Sequence, residues 1–149
     1  MEPQAAEKWD RWTQAHPVAA RTKVKALLLD DDPVDSALVS RLMARSTQFE
    51  IALTTCRTAE DAADALSRGG FEILLVDYWL GFDTSITFIY EQASSGDTPC
   101  VLLTGLDAPD IRRCAFRAGV DGYLAKENLS IQALEGVLCA VLASNSRLS

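Results

Sequence analysis

Five short apolar runs, at residues 24–30, 51–56, 71–77, 100–104 and 122–126, punctuate the chain, their starts 20 to 29 residues apart. The third (Ile73, Leu74, Leu75 and Val76 before Asp77), the first (Ala26, Leu27, Leu28, Leu29) and the fourth (Val101, Leu102, Leu103) are nearly continuous in apolar residues. Continuous runs suit strands covered on both faces, as in a parallel sheet. The second run alternates, Ile51 and Leu53 against Ala52 and Thr54, which suits an edge strand.

Between the runs lie segments with helical start and stop signals. Asp32 and Pro33 supply a cap and a first-turn proline, followed by Val34, Leu38 and Leu42 at i, i+4 and i+8. Thr58, with Asp61 three residues on, opens a second helix that Gly69 and Gly70 close. A third spans 84–95 before Gly96, and a fourth opens at Ala108, Pro109 and Asp110 and stops at Gly119. Ser130 caps the last, whose Leu134, Val137, Leu138 and Val141 form one stripe. Strand and helix alternate five times, which predicts an α/β doubly wound domain with a five-stranded parallel sheet over residues 23–149. Residues 1–22 form an N-terminal extension outside this pattern. Trp9 and Trp12, three apart, leave two readings: a loosely attached tail, or a short amphipathic helix that covers an apolar patch on this chain or a partner.

Composition narrows the function classes. Fourteen basic and twenty-one acidic residues leave a net charge of −7. Such a field repels a phosphate backbone, and the chain offers no room for an appended DNA-binding helix pair, so no nucleic-acid partner is expected. No apolar run is long enough to span a bilayer and the first eight residues lack an apolar core, so no membrane partner and a cytoplasmic address are expected. Cys56, Cys100, Cys114 and Cys139 are scattered and the single histidine is His16, which excludes the usual zinc spacings. The four cysteines read as small core residues.

In an open parallel sheet, ligands sit beyond the carboxyl ends of the strands. Those ends here carry Asp30, Asp31 and Asp32, then Asp77, Thr104 and Lys126, while the second strand ends at Cys56 with no ionisable group. In a flavodoxin-like strand order 2-1-3-4-5 the first and third strands are neighbours, so Asp30, Asp31 and Asp77 converge. Two carboxylates about 4 Å apart repel by about 4 kcal/mol at an effective dielectric of 20, and a cation or a proton relieves this. Hard oxygen ligands select Mg²⁺ or Mn²⁺. With one lysine and one hydroxyl added, the pocket suits a phosphoryl group, and one carboxylate, Asp77, is left to attack phosphorus. Asp32 reads as a helix cap only.

These residues resemble the receiver domains of response regulators in two-component signalling, of the stand-alone single-domain type. The resemblance covers about residues 23–146. It rests on the leucines before Asp30, Asp31, Asp32 and Pro33, on Val76 to Leu80 around Asp77, on Thr104 and Gly105 after Leu103, and on Gly122 to Lys126. It implies that Asp77 is the phosphoacceptor of a phosphoprotein carrying an aspartyl phosphate. Asp31, Asp77 and the backbone carbonyl of Trp79 would be metal ligands, with Asp30 acting through water. Thr104 and Lys126 would bind the phosphoryl group, and Thr104 and Tyr123 would form the switch. A histidine kinase or histidine phosphotransfer protein is the implied donor, and an unknown protein effector the implied output. The face of the fourth helix, fifth strand and last helix allows a homodimer. The chain would not be an enzyme beyond its own phosphorylation and dephosphorylation. A phosphate sink or phosphorelay shuttle without effector binding is the alternative.

The chain departs from the family pattern at three places. Gly81 stands four residues after Asp77 where proline is usual, Thr84 and Ser85 replace an expected glycine, and Glu127 replaces the proline after the lysine. The last departure leaves open whether the peptide between Lys126 and Glu127 is cis. Trp79 and Leu106 bring apolar bulk two residues past Asp77 and Thr104, which predicts slow loss of the phosphoryl group. Arg112, Arg113, Phe116 and Arg117 form a basic patch, read either as a solvated face or as a docking surface for an acidic partner. A flavin-binding or haloacid-phosphatase-like enzyme is a competing class. Asp30 and Asp32 match the latter's spacing, but that reading gives Asp77 no role.

Overall fold

The computed structural model describes residues 21–105 and 108–148, the side chains of 145–148 apart. Leu106 and the residues 1–20 with Trp9, Trp12 and His16 lie outside the described residues. Five strands, β1 (Thr22–Leu29), β2 (Phe49–Cys56), β3 (Ile73–Asp77), β4 (Cys100–Thr104) and β5 (Gly122–Ala125), make one parallel sheet of order 2-1-3-4-5. Five helices alternate with them: α1 (Pro33–Ala44), α2 (Ala59–Ser67), α3 (Ile86–Ser95), α4 (Pro109–Ala118) and α5 (Ile131–Leu148). The doubly wound α/β class and the strand order therefore agree with the sequence pattern. β2 lies at the edge, as its alternation implied, and the all-apolar stretch of β3 sits mid-sheet with each of its five residues buried.

Parity along the strands sorts the core into two layers. Val24, Ala26, Leu28, Ile73, Leu75, Val101 and Leu103 pack with Val39 and Met43 of α1 and with Leu134, Leu138 and Val141 of α5. Leu27, Leu29, Leu74, Val76, Cys100 and Leu102 pack on the opposite face with Ala62 of α2, Phe88 and Ile89 of α3, and Ala115 and Ala118 of α4. On the central strands neither face meets water, which is why they read as unbroken apolar runs, whereas the edge strand β2 keeps exposed residues.

The helix ends follow the local signals closely. The Asp32 carboxylate accepts from the Val34 amide at 2.8 Å, the Thr58 hydroxyl from Asp61 at 3.1 Å, and the Ser130 hydroxyl from Ala133 at 3.0 Å. Gly119 closes α4 at φ 118°, where a Cβ would also lie 2.5 Å from that of Ala93, so the turn and the approach of α3 both require glycine.

Three expectations need correction, and one open question is answered. On α1 the buried residues are Val39 and Met43, with Leu42 of the expected stripe packed beside them, while Val34 is 73% exposed and Leu38 40%. The docking angle of the helix decides how far each apolar position reaches the sheet. Thr84 belongs to a two-stranded ribbon, Trp79–Leu80 against Asp83–Thr84, so α3 begins at Ile86 with the buried Ser85 as its first flanking residue. Of the cysteines only Cys56 and Cys100 are buried, while Cys114 and Cys139 are exposed, the Cys139 thiol donating to Gln48 Oε1 at 3.2 Å. The peptide between Lys126 and Glu127, left open by the sequence, is trans, as no cis peptide occurs among the described residues, and Lys126 opens a short 3₁₀ turn, Lys126–Asn128.

A buried acid ties α5 to the turn before β2. The Glu135 carboxylate accepts from the Ser46 hydroxyl at 2.7 Å and from the amides of Thr47 and Gln48 at 3.2 Å each. The Ser46 hydrogen bond and, against burial, the two amides hold its carboxyl below the usual range. A depressed folded value means that this stabilisation is present above the pKa of the unfolded chain and fades as pH falls through the folded value. Denaturant titrations between neutral pH and about pH 3 should show Glu135→Gln less stable than wild type at neutral pH, the gap closing with acid. A gap independent of pH would show that the charge contributes nothing.

Candidate phosphoacceptor site

The register of the sheet brings the chemistry together. Leu29 pairs with Val76, so Asp30 and Asp77 follow one step later on adjacent strands. Thr104 pairs with Ala125, which puts Lys126 just beyond it at the same sheet edge. Asp30 shares the parity of Ala26 and Leu28, Asp77 that of Ile73 and Leu75, and Lys126 that of Leu124, so all three belong to the face covered by α1 and α5. Thr104 continues the parity of Cys100 and Leu102, and Tyr123 packs on that same opposite layer.

Carboxylate oxygens of Asp30, Asp31 and Asp77 all lie within 4.8 Å of one another. Asp30 and Asp77 are buried and Asp31 is half-buried. The Lys126 ammonium reaches into this cluster, 3.1 Å from Asp30 Oδ2 and 3.2 Å from Asp77 Oδ2. Burial first, then the charge of Asp30, pushes the Asp77 carboxyl up to about 6, although Lys126 and the Tyr78 amide pull the other way. Burial would lower the lysine, yet its carboxylate partners more than offset this and hold it above its ordinary value. The Asp77 Oδ1 atom accepts from the Tyr78 amide at 2.9 Å, and Asp30 Oδ1 from the Asp32 amide at 2.9 Å. Three anions and one cation in partial burial leave a negative residue that suits a divalent ion with oxygen ligands.

The remaining expected residues fall around this centre. Thr104 is buried at the end of β4. Trp79, two residues past Asp77, begins the ribbon and is 45% exposed. Gly81, in place of the usual proline, turns that ribbon at φ 70° and donates its amide to Asp31 Oδ2 at 2.8 Å. The ribbon is thus fastened to the cluster by backbone. Tyr123 is half-buried, with the Arg112 guanidinium 4.9 Å from its ring centre. Of the basic patch, Arg113 pairs with Asp110 on its own helix and Phe116 is 49% exposed. Asp32 serves as the α1 cap and is exposed, which removes the second acid that a haloacid-phosphatase-like reading needs.

One participant was missed. Asp35 Oδ2 lies 2.7 Å from Lys126 Nζ, the shortest of the lysine's three carboxylate contacts. Its signal was available: an acid in the first turn of the helix that follows the acidic strand end.

Comparison with known proteins bears on the fold. Over 114 residues, 72% of this chain and 65% of the relative, the sequence is 25% identical to the two-component response regulator ORR6 of Oryza sativa subsp. japonica. Over 100 residues, 67% of this chain and 43% of the relative, it is 29% identical to the heme response regulator HssR of Staphylococcus saprophyticus. The chain spans less than two thirds of the length of either curated relative. No protein-family model matches the sequence. Among solved structures, the signal receiver domain of an HD domain-containing protein from Pseudomonas fluorescens superimposes with a TM-score of 0.75 at 20% identity, covering 87% of this chain and 94% of that one. The fold is that of a response regulator receiver domain. The Mn²⁺-bound response regulator Rcp1 (TM-score 0.66, 22% identity, 78% of this chain and 92% of that one) shares it. So does the phosphorylated cyanobacterial phytochrome response regulator RcpA (TM-score 0.68, 21% identity, 84% and 96%). No helix of the described residues is long and apolar enough to cross a membrane.

The acidic cluster makes a stability prediction. In metal-free buffer near neutral pH, Asp77→Asn should melt above wild type, because it removes one of two buried, mutually repelling carboxylates. Since the Asp77 carboxyl is raised to about 6, wild type takes up a proton as pH falls through that value and the difference should narrow. Mg²⁺ should raise the wild-type melting temperature more than that of the variant. Equal melting curves with and without Mg²⁺ would contradict the electrostatic account.

Proposed function

We propose that the chain is a single-domain response regulator, its receiver domain spanning residues 23–149, that accepts a phosphoryl group on Asp77 and thereby changes its protein contacts. The observation that carries the proposal is the convergence of Asp30, Asp31 and Asp77 within 4.8 Å, with the Lys126 ammonium in contact with two of them. In this reading Asp31, Asp77 and the Trp79 carbonyl hold Mg²⁺ or Mn²⁺, with Asp30 assisting through water. The ion, when bound, offsets the charge of the carboxylates and of the phosphoryl oxygens. An Asp77 carboxylate oxygen attacks phosphorus of a phosphohistidine or of a small acyl phosphate. A new O–P bond forms, the N–P or O–P bond of the donor breaks, and its electron pair leaves on imidazole or carboxylate. Lys126 holds one phosphoryl oxygen by charge, and Thr104 approaches another through its hydroxyl.

The layer assignment supports a switch. Asp77 and Lys126 share the α1/α5 face, whereas Thr104 and Tyr123 share the α3/α4 face. Recruiting Thr104 to a phosphoryl group would therefore carry the change through the sheet to α4 and Tyr123, a shift between two packings. A histidine kinase or phosphotransfer protein is the proposed donor in a cytoplasmic two-component system, with an unknown protein as effector. A homodimer through the face of α4, β5 and α5 fits the same scheme. The second reading, a phosphate sink or relay shuttle, keeps the chemistry and drops the effector.

Intact-protein mass after incubation with acetyl phosphate and Mg²⁺ tests the chemistry. Wild type should gain one phosphoryl group and Asp77→Asn none. A wild type that stays unmodified with acetyl phosphate and with a cognate kinase would overturn the proposal. The bulk of Trp79 at the rim is further expected to hinder an attacking water. The phosphoryl group should persist for minutes or longer, and Trp79→Asn should shorten its lifetime by about tenfold, an effect of about 1.4 kcal/mol on the barrier. A wild-type lifetime of seconds would count against any shielding by Trp79.

A further inference from the structure

Lys126 presents three N–H bonds, and three carboxylates face them. Two of these, Asp30 and Asp77, belong to the cluster that suits a divalent ion. The third, Asp35, does not: it comes from the first turn of α1 and is not one of the three carboxylates in mutual reach. Its contact is nonetheless the shortest, 2.7 Å against 3.1 and 3.2 Å. The side chains of Asp30 and Asp77 are 0% and 12% exposed, and that of Asp35 is 36% exposed, so it stands at the outer rim of the pocket. Parity explains the encounter, since Lys126 belongs to the sheet face that α1 covers.

The pull of Asp35 on the ammonium opposes what group transfer requires. A phosphoryl group arriving on Asp77 needs the positive charge of Lys126 turned toward its oxygens, whereas Asp35 draws that charge toward α1. Asp35 also adds a negative charge at the rim of the pocket. Resting on the receiver reading above, we infer that Asp35 is a positioning residue that tethers Lys126 to α1 in the unphosphorylated protein and slows phosphorylation of Asp77. Transfer of the phosphoryl group then loosens the link between α1 and the end of β5, because the ammonium leaves Asp35 for the phosphoryl oxygens. The first turn of α1 is thereby sensitive to the state of Asp77 without touching it.

The experiment compares the initial rate of phosphorylation by acetyl phosphate at saturating Mg²⁺ in wild type, Asp35→Asn, Asp35→Glu and Asp32→Asn, with thermal melts of each. Asp35→Asn should react about two- to fivefold faster, the range expected for releasing one half-exposed ion pair. Asp35→Glu, which keeps the charge, should return toward the wild-type rate. Asp32→Asn removes an equal charge three residues away while retaining a capping side chain, and should leave the rate unchanged. An Asp35→Asn rate equal to or below wild type overturns the inference, as does an equal acceleration in Asp32→Asn, which would reveal a general charge effect. A purely structural role for Asp35 would move the melting temperature and not this ordering of rates. Failure of wild type itself to take up phosphoryl would sink the receiver reading and this inference with it, and that outcome is distinguishable from a phosphorylatable wild type with no Asp35 effect.

Discussion

The ion cluster around Lys126 is the constraint on which the rest depends. Buried carboxylates on adjacent strands repel by several kcal/mol at their separation unless a cation neutralises them. Lys126 supplies one charge to Asp30, Asp77 and Asp35, from a strand two positions away from β3 in the sheet. That is incomplete neutralisation, and burial first, with the charge of Asp30 second, keeps the Asp77 carboxyl raised. The cluster is left with an excess of negative charge, which suits a divalent ion with oxygen ligands.

The cluster exists only because five strands run parallel with both faces covered. Parallel pairing places every carboxyl end at one edge, and the register sets Asp30 level with Asp77 and Lys126 beyond the end of β5. Residue parity then divides the labour between layers. The acid–lysine chemistry shares the layer of α1 and α5, and Thr104 and Tyr123 share that of α3 and α4. One group bound at the edge can thus touch both layers at once, which a site built within a single layer could not do. Because side chains alternate with a period of two, any one-residue slip of β3 or β4 would dissolve the arrangement.

At two places where the sequence departs from the receiver pattern it resembles, backbone hydrogen bonds hold the loops beside the cluster. Gly81 turns a short ribbon at positive φ and binds Asp31 through its amide, so the loop after Asp77 is tied to the cluster without a proline. At the other end, Lys126 opens a 3₁₀ turn whose Leu129 amide returns to the Lys126 carbonyl at 3.1 Å. That turn fixes the backbone under the lysine.

Much of this was legible in the residues alone. Continuous apolar runs determined a doubly covered parallel sheet, alternation marked β2 as the edge, and Asp32, Thr58, Ser130 and Gly119 marked helix ends, because each of these is a short-range effect of backbone hydrogen bonding and side-chain burial. The acids, threonine and lysine at strand ends followed from the same pattern. Three things did not follow. The buried stripe of α1, Val39 and Met43 in place of Val34 and Leu38, depends on how the helix docks. The exposure of Cys114 and Cys139 depends on which helix face the sheet occupies. The contact of Asp35 with Lys126 joins residues 91 apart and arises from the packing of α1 against the end of β5. Sequence periodicity determines what each element offers, and only the tertiary packing of those elements decides which side chains meet.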